Sequence, residues 1–182
     1  MQEKPTIILG IDPGTRITGY GVIRYTAHQT EPLDFGCIRP PPQLLLHERY
    51  HILFDAVEQI IQKFQPDVIA IESQFFMKNV QSAMKLSMAK AMVLLAAARK
   101  KIPVFEYAPK KAKQAVVGKG QASKEQVQKM IQSLLRLPKL PEPEDAADAL
   151  ALAICCAHNL RFATCTNPLK EPLKKKNLLK QS

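Results

Sequence analysis

The fold of this chain is decided by the stretch Ile7-Ile-Leu-Gly-Ile-Asp12-Pro-Gly-Thr-Arg-Ile-Thr-Gly-Tyr-Gly-Val-Ile23. Two apolar, β-branched runs are joined there by Pro13-Gly14, a dipeptide typical of turns, which predicts a β-hairpin. The first run lacks polar alternation, so we expect a strand buried on both faces in the centre of a sheet. It ends at Asp12, where a carboxylate is costly unless it is paired, protonated or bound to a metal. A simple turn role for Asp12 is the alternative.

The same pattern recurs at Asp67-Val-Ile-Ala-Ile-Glu72, a second apolar strand that ends in a carboxylate. Residues 33–39 are predicted to form a third strand after the hairpin. The apolar spacing of residues 53–64 predicts a helix from near Gln43 to Gln65. Strand-helix-strand order predicts a parallel crossover, and sites in such sheets gather at the carboxyl ends of the strands. Glu72 read alone is equally a surface acid at a strand end.

Further helices are indicated by the second half of the chain. Residues 80–100 are apolar nearly all round, so this helix needs cover on more than one side, from the sheet and from either a second subunit or its own domain. A short strand over residues 103–107 follows. The last helix begins after Pro143, and Asp145 and Asp148, three residues apart, lie on the same face of it. Acids in a first turn normally complement the helix dipole, but Asp148 precedes an almost wholly apolar segment.

Lysines cluster between these elements, around the turn Gly118-Lys-Gly120; they are Lys110, Lys111, Lys113, Lys119 and Lys124. Ser123 and Gln126 form a capping box for a helix that we expect to reach Leu137. A lysine run is usually a solvated surface. Here the glycines and a helix N-terminus favour contact with phosphate.

Composition restricts the classes of protein and of partner. The chain has 182 residues, 46% hydrophobic and 23% charged, as in one globular domain with a sizeable core. Its net charge of +10 favours a polyanion. We expect a domain over residues 1–160 and a basic, flexible tail over residues 161–182. The four cysteines form no disulfide or zinc pattern, and no secretory or membrane-spanning run stands out, which predicts a cytoplasmic protein without membrane contact.

Five motifs carry a family resemblance: residues 10–21 (Gly-Ile-Asp-Pro-Gly-Thr-Arg-Ile-Thr-Gly-Tyr-Gly), 70–72 (Ala-Ile-Glu), 104–108 (Val-Phe-Glu-Tyr-Ala), 113–118 (Lys-Gln-Ala-Val-Val-Gly) and 145–151 (Asp-Ala-Ala-Asp-Ala-Leu-Ala). Together and in this order they resemble the RuvC family of Holliday-junction resolvases. The resemblance implies an α/β, RNase H-like fold with a mixed central sheet flanked by helices. It also implies a homodimer that makes paired nicks in four-way DNA junctions during recombination and repair, with a branch-migration complex of the RuvA-RuvB type as a partner.

The resemblance also assigns candidate site residues. The family's acidic quartet falls on Asp12, Glu72, Asp145 and Asp148, as catalytic residues and as ligands of two Mg²⁺ ions. Two such ions about 3.5 to 4 Å apart can generate a nucleophile and stabilise the leaving oxygen, and Mn²⁺ is expected to substitute. The expected DNA contacts are Phe75, Lys78, Lys113, Lys119 and Lys124. Phe76 is the neighbouring alternative to Phe75 as the aromatic that opens the junction.

Two other functions are compatible with parts of the sequence. Gly10 to Thr15 also fits the phosphate loop of actin-like and sugar-kinase ATPases, although the chain is too short for two such lobes. A noncatalytic DNA-binding protein would explain the charge, but it leaves Asp12, Glu72 and Asp148 unexplained. Turnover of ATP would support the first, and junction binding without magnesium-dependent nicking would support the second.

Overall fold

The computed structural model of this chain describes residues 4–27, 29–73 and 79–166, with side chains through residue 160. Within these residues the strands are β1 (Thr6–Asp12), β2 (Thr18–Tyr25), β3 (Thr30–Ile38), β4 (Val68–Glu72) and β5 (Val104–Tyr107). The helices are α1 (Leu46–Phe64), α2 (Val80–Arg99), α3 (Pro109–Val117), α4 (Lys124–Leu134) and α5 (Glu144–Thr166).

The strands form one mixed sheet in the order β3-β2-β1-β4-β5. The pairs β1/β2 and β2/β3 are antiparallel, which confirms the hairpin and its third strand. The pairs β1/β4 and β4/β5 are parallel, so the chain crosses over through α1 and places β4 beside β1. The predicted mixed α/β sheet of the RNase H-like type is confirmed.

The central strand β1 divides the core into two layers because its side chains alternate between the sheet faces. Leu9 and Ile11 belong to the cluster that α1 and α2 cover. Ile8 belongs to the cluster that α3, α4 and α5 cover. All three side chains are fully buried, as expected for a strand in the middle of a sheet.

Two of the predicted helix boundaries and the predicted lysine turn differ from the structure. Helix α1 begins at Leu46 instead of near Gln43, because residues 42–44 form a turn and the Glu48 carboxylate accepts from the Leu45 N–H at 2.7 Å. Helix α4 ends at Leu134 instead of Leu137, where the chain turns through Arg136 at a positive φ of 50°. The lysine segment contains a helix, α3, that the sequence analysis did not predict; it starts at Pro109, a residue suited to a first helical turn.

Helix α2 is buried on one side only, although its composition is apolar nearly all round. Ala89, Val93, Ala96 and Ala97 are buried in the core, whereas its other side exposes Val80, Met84, Met88, Leu94 and Leu95. Length and composition alone would also allow this helix to cross a membrane, with 22% of the apolar window buried. Its packing against α1 and the sheet explains the apolar composition of one side. A partner surface would explain the other.

The helix α5 lies across the sheet and is the most buried element. Every residue from Ala149 to Ala157 is buried. It contacts β1 and β2 on one side and α3 and α4 on the other. The helix continues to Thr166, past the expected domain boundary at residue 160, and residues 167–182 of the predicted tail lie outside the described part.

Candidate active site

Asp12 and Glu72 are brought together by the register of two parallel strands. The ladder pairs Gly10 with Ala70 and Ile11 with Ile71, so the acids occupy the next position at the carboxyl ends of β1 and β4. Their carboxyl groups share a hydrogen bond. The predicted meeting of two strand-end acids is therefore present in the structure.

Two glycines let α5 bring its acids to the same place. A Cβ on Gly10 would lie 2.0 Å from the carbonyl oxygen of Ala149, and one on Gly19 would lie 1.9 Å from that of Asp145. Any side chain at these positions would push α5 off the sheet. Because the helix backbone rests directly on β1 and β2, Asp145 and Asp148 of its first turns lie within electrostatic range of Asp12.

The carboxyl groups are half-buried, and this changes their protonation. Burial, the neighbouring Glu72 and then Asp148 and Asp145 raise the pKa of Asp12 to about 8. Burial also raises the pKa of Glu72, although its hydrogen bond to Asp12 opposes the rise. The pKa of Asp148 is raised by burial too, against the nearby positive charges of Lys124 and Lys113. The raised pKa values of Asp12, Glu72 and Asp148 show that these acids resist ionising together, so Asp12 holds a proton near neutral pH when no cation is bound.

Two of the predicted lysines border this acidic cluster. Lys113 lies on α3, and its charge favours the ionised forms of Glu72 and Asp148. Lys124 begins α4, and its Nζ lies 2.6 Å from Glu144 Oε2 in the first turn of α5. The contacts of α3 and α4 with α5 place both lysines beside the acids. A phosphate group arriving at the acids would therefore meet positive charge on this side.

Of the other predicted DNA contacts, Lys119 alone lies within the described residues, and no contact described there links it to the acids. Lys119 is exposed after the left-handed Gly118 that ends α3. Phe75 and Lys78, with the alternative Phe76, lie outside the described residues. Their expected roles stay predictions.

The donor set suits hard divalent cations, because it consists of carboxylate oxygens. Burial first and then repulsion from the neighbouring acids raise the pKa of Asp12, and bound positive charge would oppose both effects. Within residues 4–27, 29–73 and 79–160, no three His, Cys, Asp or Glu side chains stand close enough to form a ready-made metal cluster. The acids fit the cations in type and location, and their side chains must converge further to coordinate them.

Two structural features near the site were missed by the sequence analysis. Lys90 of α2 pairs with Glu106 of β5 at 2.7 Å, and its charge favours ionised Glu72. The signal available was that Lys90 is the sole charged residue between Lys85 and Arg99 in the sequence. Arg49 of α1 donates to the backbone carbonyl of Thr15, in the loop after Asp12. No sequence pattern marks a contact across 34 residues.

Comparison with known proteins identifies relatives along most of the chain. The family model for crossover junction endodeoxyribonuclease RuvC matches residues 8–156. The crossover junction endodeoxyribonuclease RuvC of Protochlamydia amoebophila (strain UWE25) is 60% identical over 155 residues, covering 85% of this chain and 92% of the relative.

Solved structures agree with this comparison. The T. thermophilus RuvC in complex with Holliday junction substrate superposes with a TM-score of 0.82 at 35% identity, covering 87% of this chain and 97% of that one. The yeast mitochondrial Holliday junction resolvase Ydc2 gives a TM-score of 0.59 at 14% identity, covering 87% and 83% of the two chains. At that identity the likeness concerns the fold alone.

Proposed function

Because the chain belongs to the RuvC family of crossover junction endodeoxyribonucleases, we propose that Asp12, Glu72, Asp145 and Asp148 form the site with which it cuts Holliday junctions. The observation that carries this assignment is the convergence of the two strand-end acids with the first turns of α5, over glycines that admit the helix backbone. The raised pKa of Asp12 supports this assignment. Partly buried acids without a positive partner destabilise a core, whereas a cation site requires them.

The four carboxylates would hold two Mg²⁺ ions, with Mn²⁺ able to substitute. When bound, such ions supply a nucleophilic hydroxide and stabilise the leaving oxygen of the phosphodiester. The chain's own contribution is to orient the carboxylates. Asp12 is central to this set, because it is the acid whose pKa responds to the other three. Its proton must leave before Asp12 can act as a ligand, and the hydrogen bond to Glu72 identifies the group that shares it.

Positive side chains beside the acids would guide the DNA strand. Lys113 and Lys124 border the cluster, and a lysine there attracts phosphate without reading sequence. Lys119 would extend this surface along the turn after α3. Phe75 and Lys78, three and six residues beyond Glu72 in sequence, keep their predicted roles as junction wedge and phosphate contact.

A homodimer is the assembly that paired cuts require, because a four-way junction presents two symmetric strands. The exposed apolar side of α2, led by Val80, Met84 and Leu95, is the surface that we assign to this contact. Sedimentation at micromolar concentration should report a dimer. A fully active monomer would refute this assignment.

The remaining expectations concern location and partners. Action on chromosomal junctions fits a cytoplasmic protein that works with a branch-migration complex of the RuvA-RuvB type. Residues 169–182 contain five lysines and one glutamate, and we assign them a salt-sensitive, nonspecific contribution to DNA affinity. Truncation after Asn167 should therefore spare nicking at low salt. Loss of nicking in a folded truncated protein would reject that assignment.

The test of the site uses a labelled four-way junction and four amide variants: Asp12→Asn, Glu72→Gln, Asp145→Asn and Asp148→Asn. Each exchange keeps the size of the side chain and removes one negative charge. Junction binding in EDTA should persist or rise slightly, whereas nicking in Mg²⁺ should fall by about a hundredfold or more.

Near-normal nicking by a folded variant would remove that residue from the site. The matched control is Glu31→Gln, which removes a charge from an exposed pair with Arg24 at the far end of the sheet. Its nicking should equal that of the unchanged protein. Equal losses in the control and in the site variants would show that charge removal acts through general destabilisation.

A further inference from the structure

The loop between β1 and β2 is held by more contacts than a hairpin turn needs. The Thr18 hydroxyl donates to the Gly14 carbonyl and accepts from the Gly14 N–H, both at 3.1 Å. Thr18 is 1% exposed, which makes it a buried polar residue whose bonds both go to this loop. The loop is also folded tightly, since a Cβ on Gly14 would lie 1.9 Å from the Ile17 carbonyl oxygen. The residues directly after Asp12 therefore have a defined conformation.

One contact to this loop comes from outside the hairpin. Arg49, in the first turn of α1, donates from its Nη2 to the Thr15 carbonyl. This hydrogen bond links the loop to the helix layer that covers the opposite face of the sheet from α5. Thr15 lies three residues beyond Asp12, so a shift of the Thr15 backbone is transmitted to Asp12 through only two residues, one of them a proline.

The Arg49 side chain is not the residue that stability alone would favour at this position. Its Nε is buried, and within the described part of the chain it has no hydrogen-bond partner. A buried donor without an acceptor lowers stability, so an apolar side chain of similar volume would stabilise the fold better. The presence of a guanidinium here, despite its unpaired buried Nε, points to a role at the site.

We propose that Arg49 is a positioning residue for the nuclease site, which fixes the loop of residues 13–17 and thereby the direction of the Asp12 carboxylate. This inference rests on the proposed role of Asp12. Misplacement of a reacting group by about an ångström can cost a hundredfold in rate, so a loop that shifts by a fraction of that distance has a measurable effect. Arg49 acts through the loop and does not itself touch the DNA.

The test compares three variants in the full chain. Arg49→Met removes the hydrogen bond to Thr15 and keeps most of the volume, while Arg49→Lys keeps one donor at the end of a long side chain. Tyr50→Phe is the matched control: it lies in the same helical turn and removes one hydrogen bond, from the Tyr50 hydroxyl to the Lys85 carbonyl of α2 at 2.8 Å. The measurements are single-turnover nicking at saturating junction and Mg²⁺, junction affinity in EDTA, and hydrogen exchange of the loop amides.

We expect Arg49→Met to lower the nicking rate about tenfold, with junction affinity within about twofold and faster exchange at residues 15–17. Arg49→Lys should recover most of the rate, and Tyr50→Phe should nick normally.

An unchanged rate in Arg49→Met would overturn the inference, provided that Asp12→Asn is inactive in the same assay. If Asp12→Asn nicks normally, the proposed site itself is wrong. If Arg49→Met does not fold, Arg49→Lys decides the question: a lower rate with faster loop exchange supports the inference, and a normal rate with faster loop exchange overturns it.

Discussion

The two ends of the central sheet treat acidic residues in opposite ways. At the amino end of β1, acids are matched individually: Asp67 accepts from the Ile7 N–H at 2.8 Å, and Glu31 pairs with Arg24 at 3.2 Å. At the carboxyl end, Asp12 meets Glu72, Asp145 and Asp148, and the acids are crowded against one another. Acidic residues therefore have hydrogen-bond or ion-pair partners at the amino end of β1, whereas at its carboxyl end they repel one another.

The difference shows which acids serve stability. An exposed, matched pair contributes at most about 1 kcal/mol and carries no functional implication. A crowded, half-buried group lowers stability whenever its members ionise, so its presence is explained by a ligand that supplies positive charge. The RuvC family implies metal-dependent catalysis, and under the proposed function that ligand is a pair of divalent cations.

The largest effect should come from separating α5 from the crowded end. Gly19→Ala places a Cβ against the Asp145 carbonyl oxygen, and neither backbone can yield without moving the helix. We expect the free energy of unfolding to fall by about 3 kcal/mol or more and nicking to be lost. Denaturant titration and the junction assay measure both effects.

Gly36→Ala on the edge strand β3 is the control for that substitution. Its Cβ would lie 3.1 Å from the Tyr20 ring, a partly exposed side chain that can shift. The cost should stay under about 1 kcal/mol, with nicking retained. Similar losses in both variants would mean that close contact with α5 is not the reason for Gly19.

A smaller effect is expected from the protonation of Asp12 in EDTA. The folded pKa of about 8 lies above the unfolded value of 3.8, so the native state binds the extra proton between these limits. Stability is therefore fully present below pH 4 and is lost as the pH rises through 8. The full shift would be worth about 5 kcal/mol at pH 8, at about 1.36 kcal/mol per pKa unit, and solvent screening of these partly buried acids reduces it. At pH 8 we therefore expect Asp12→Asn to be more stable than the unchanged protein by about 2 kcal/mol, with the difference vanishing near pH 4. Thermal unfolding across this range is the measurement, and a constant difference would contradict the assignment.

The smallest effect concerns the matched end. Asp67→Ala removes the acceptor of the Ile7 N–H and should lower the free energy of unfolding by about 1 kcal/mol. Nicking at fixed Mg²⁺ should not change, because Asp67 lies at the other end of β1. A change in the magnesium dependence of nicking in this variant would contradict the view that acids at the amino end of β1 serve stability alone.

Much of this arrangement could be predicted from local sequence. The run from Ile7 to Asp12 and its repetition at residues 67–72 indicate buried strands with acids at their ends, and the parallel crossover places those ends together. Gly19 is recognisable as a point of close approach, although not as a contact with Asp145. These predictions succeed because apolar runs and glycines act through short-range constraints.

Other parts depend on tertiary contacts that no spacing records. The sequence analysis missed helix α3 because a run of lysines is typical of a solvated turn. Packing against α5 buries Ala112 and Val116 of this segment, and this tertiary contact is not visible in the sequence. Arg49 stands beside Glu48 near the start of α1 without any distinguishing pattern, and only the folded chain places it on the loop after Asp12. The exposed side of α2 shows an available surface and leaves the dimer as a prediction.

The most direct test of the crowded end is the titration of the Asp12 carboxyl group by ¹³C NMR, with Asp12→Asn used to assign its resonance. In EDTA the account predicts a pKa of about 8, displaced downward by bound Mg²⁺ because the cations replace the proton. An Asp12 that titrates near its ordinary value in EDTA, or whose titration ignores saturating Mg²⁺, would contradict the claim that these acids are held together for cations.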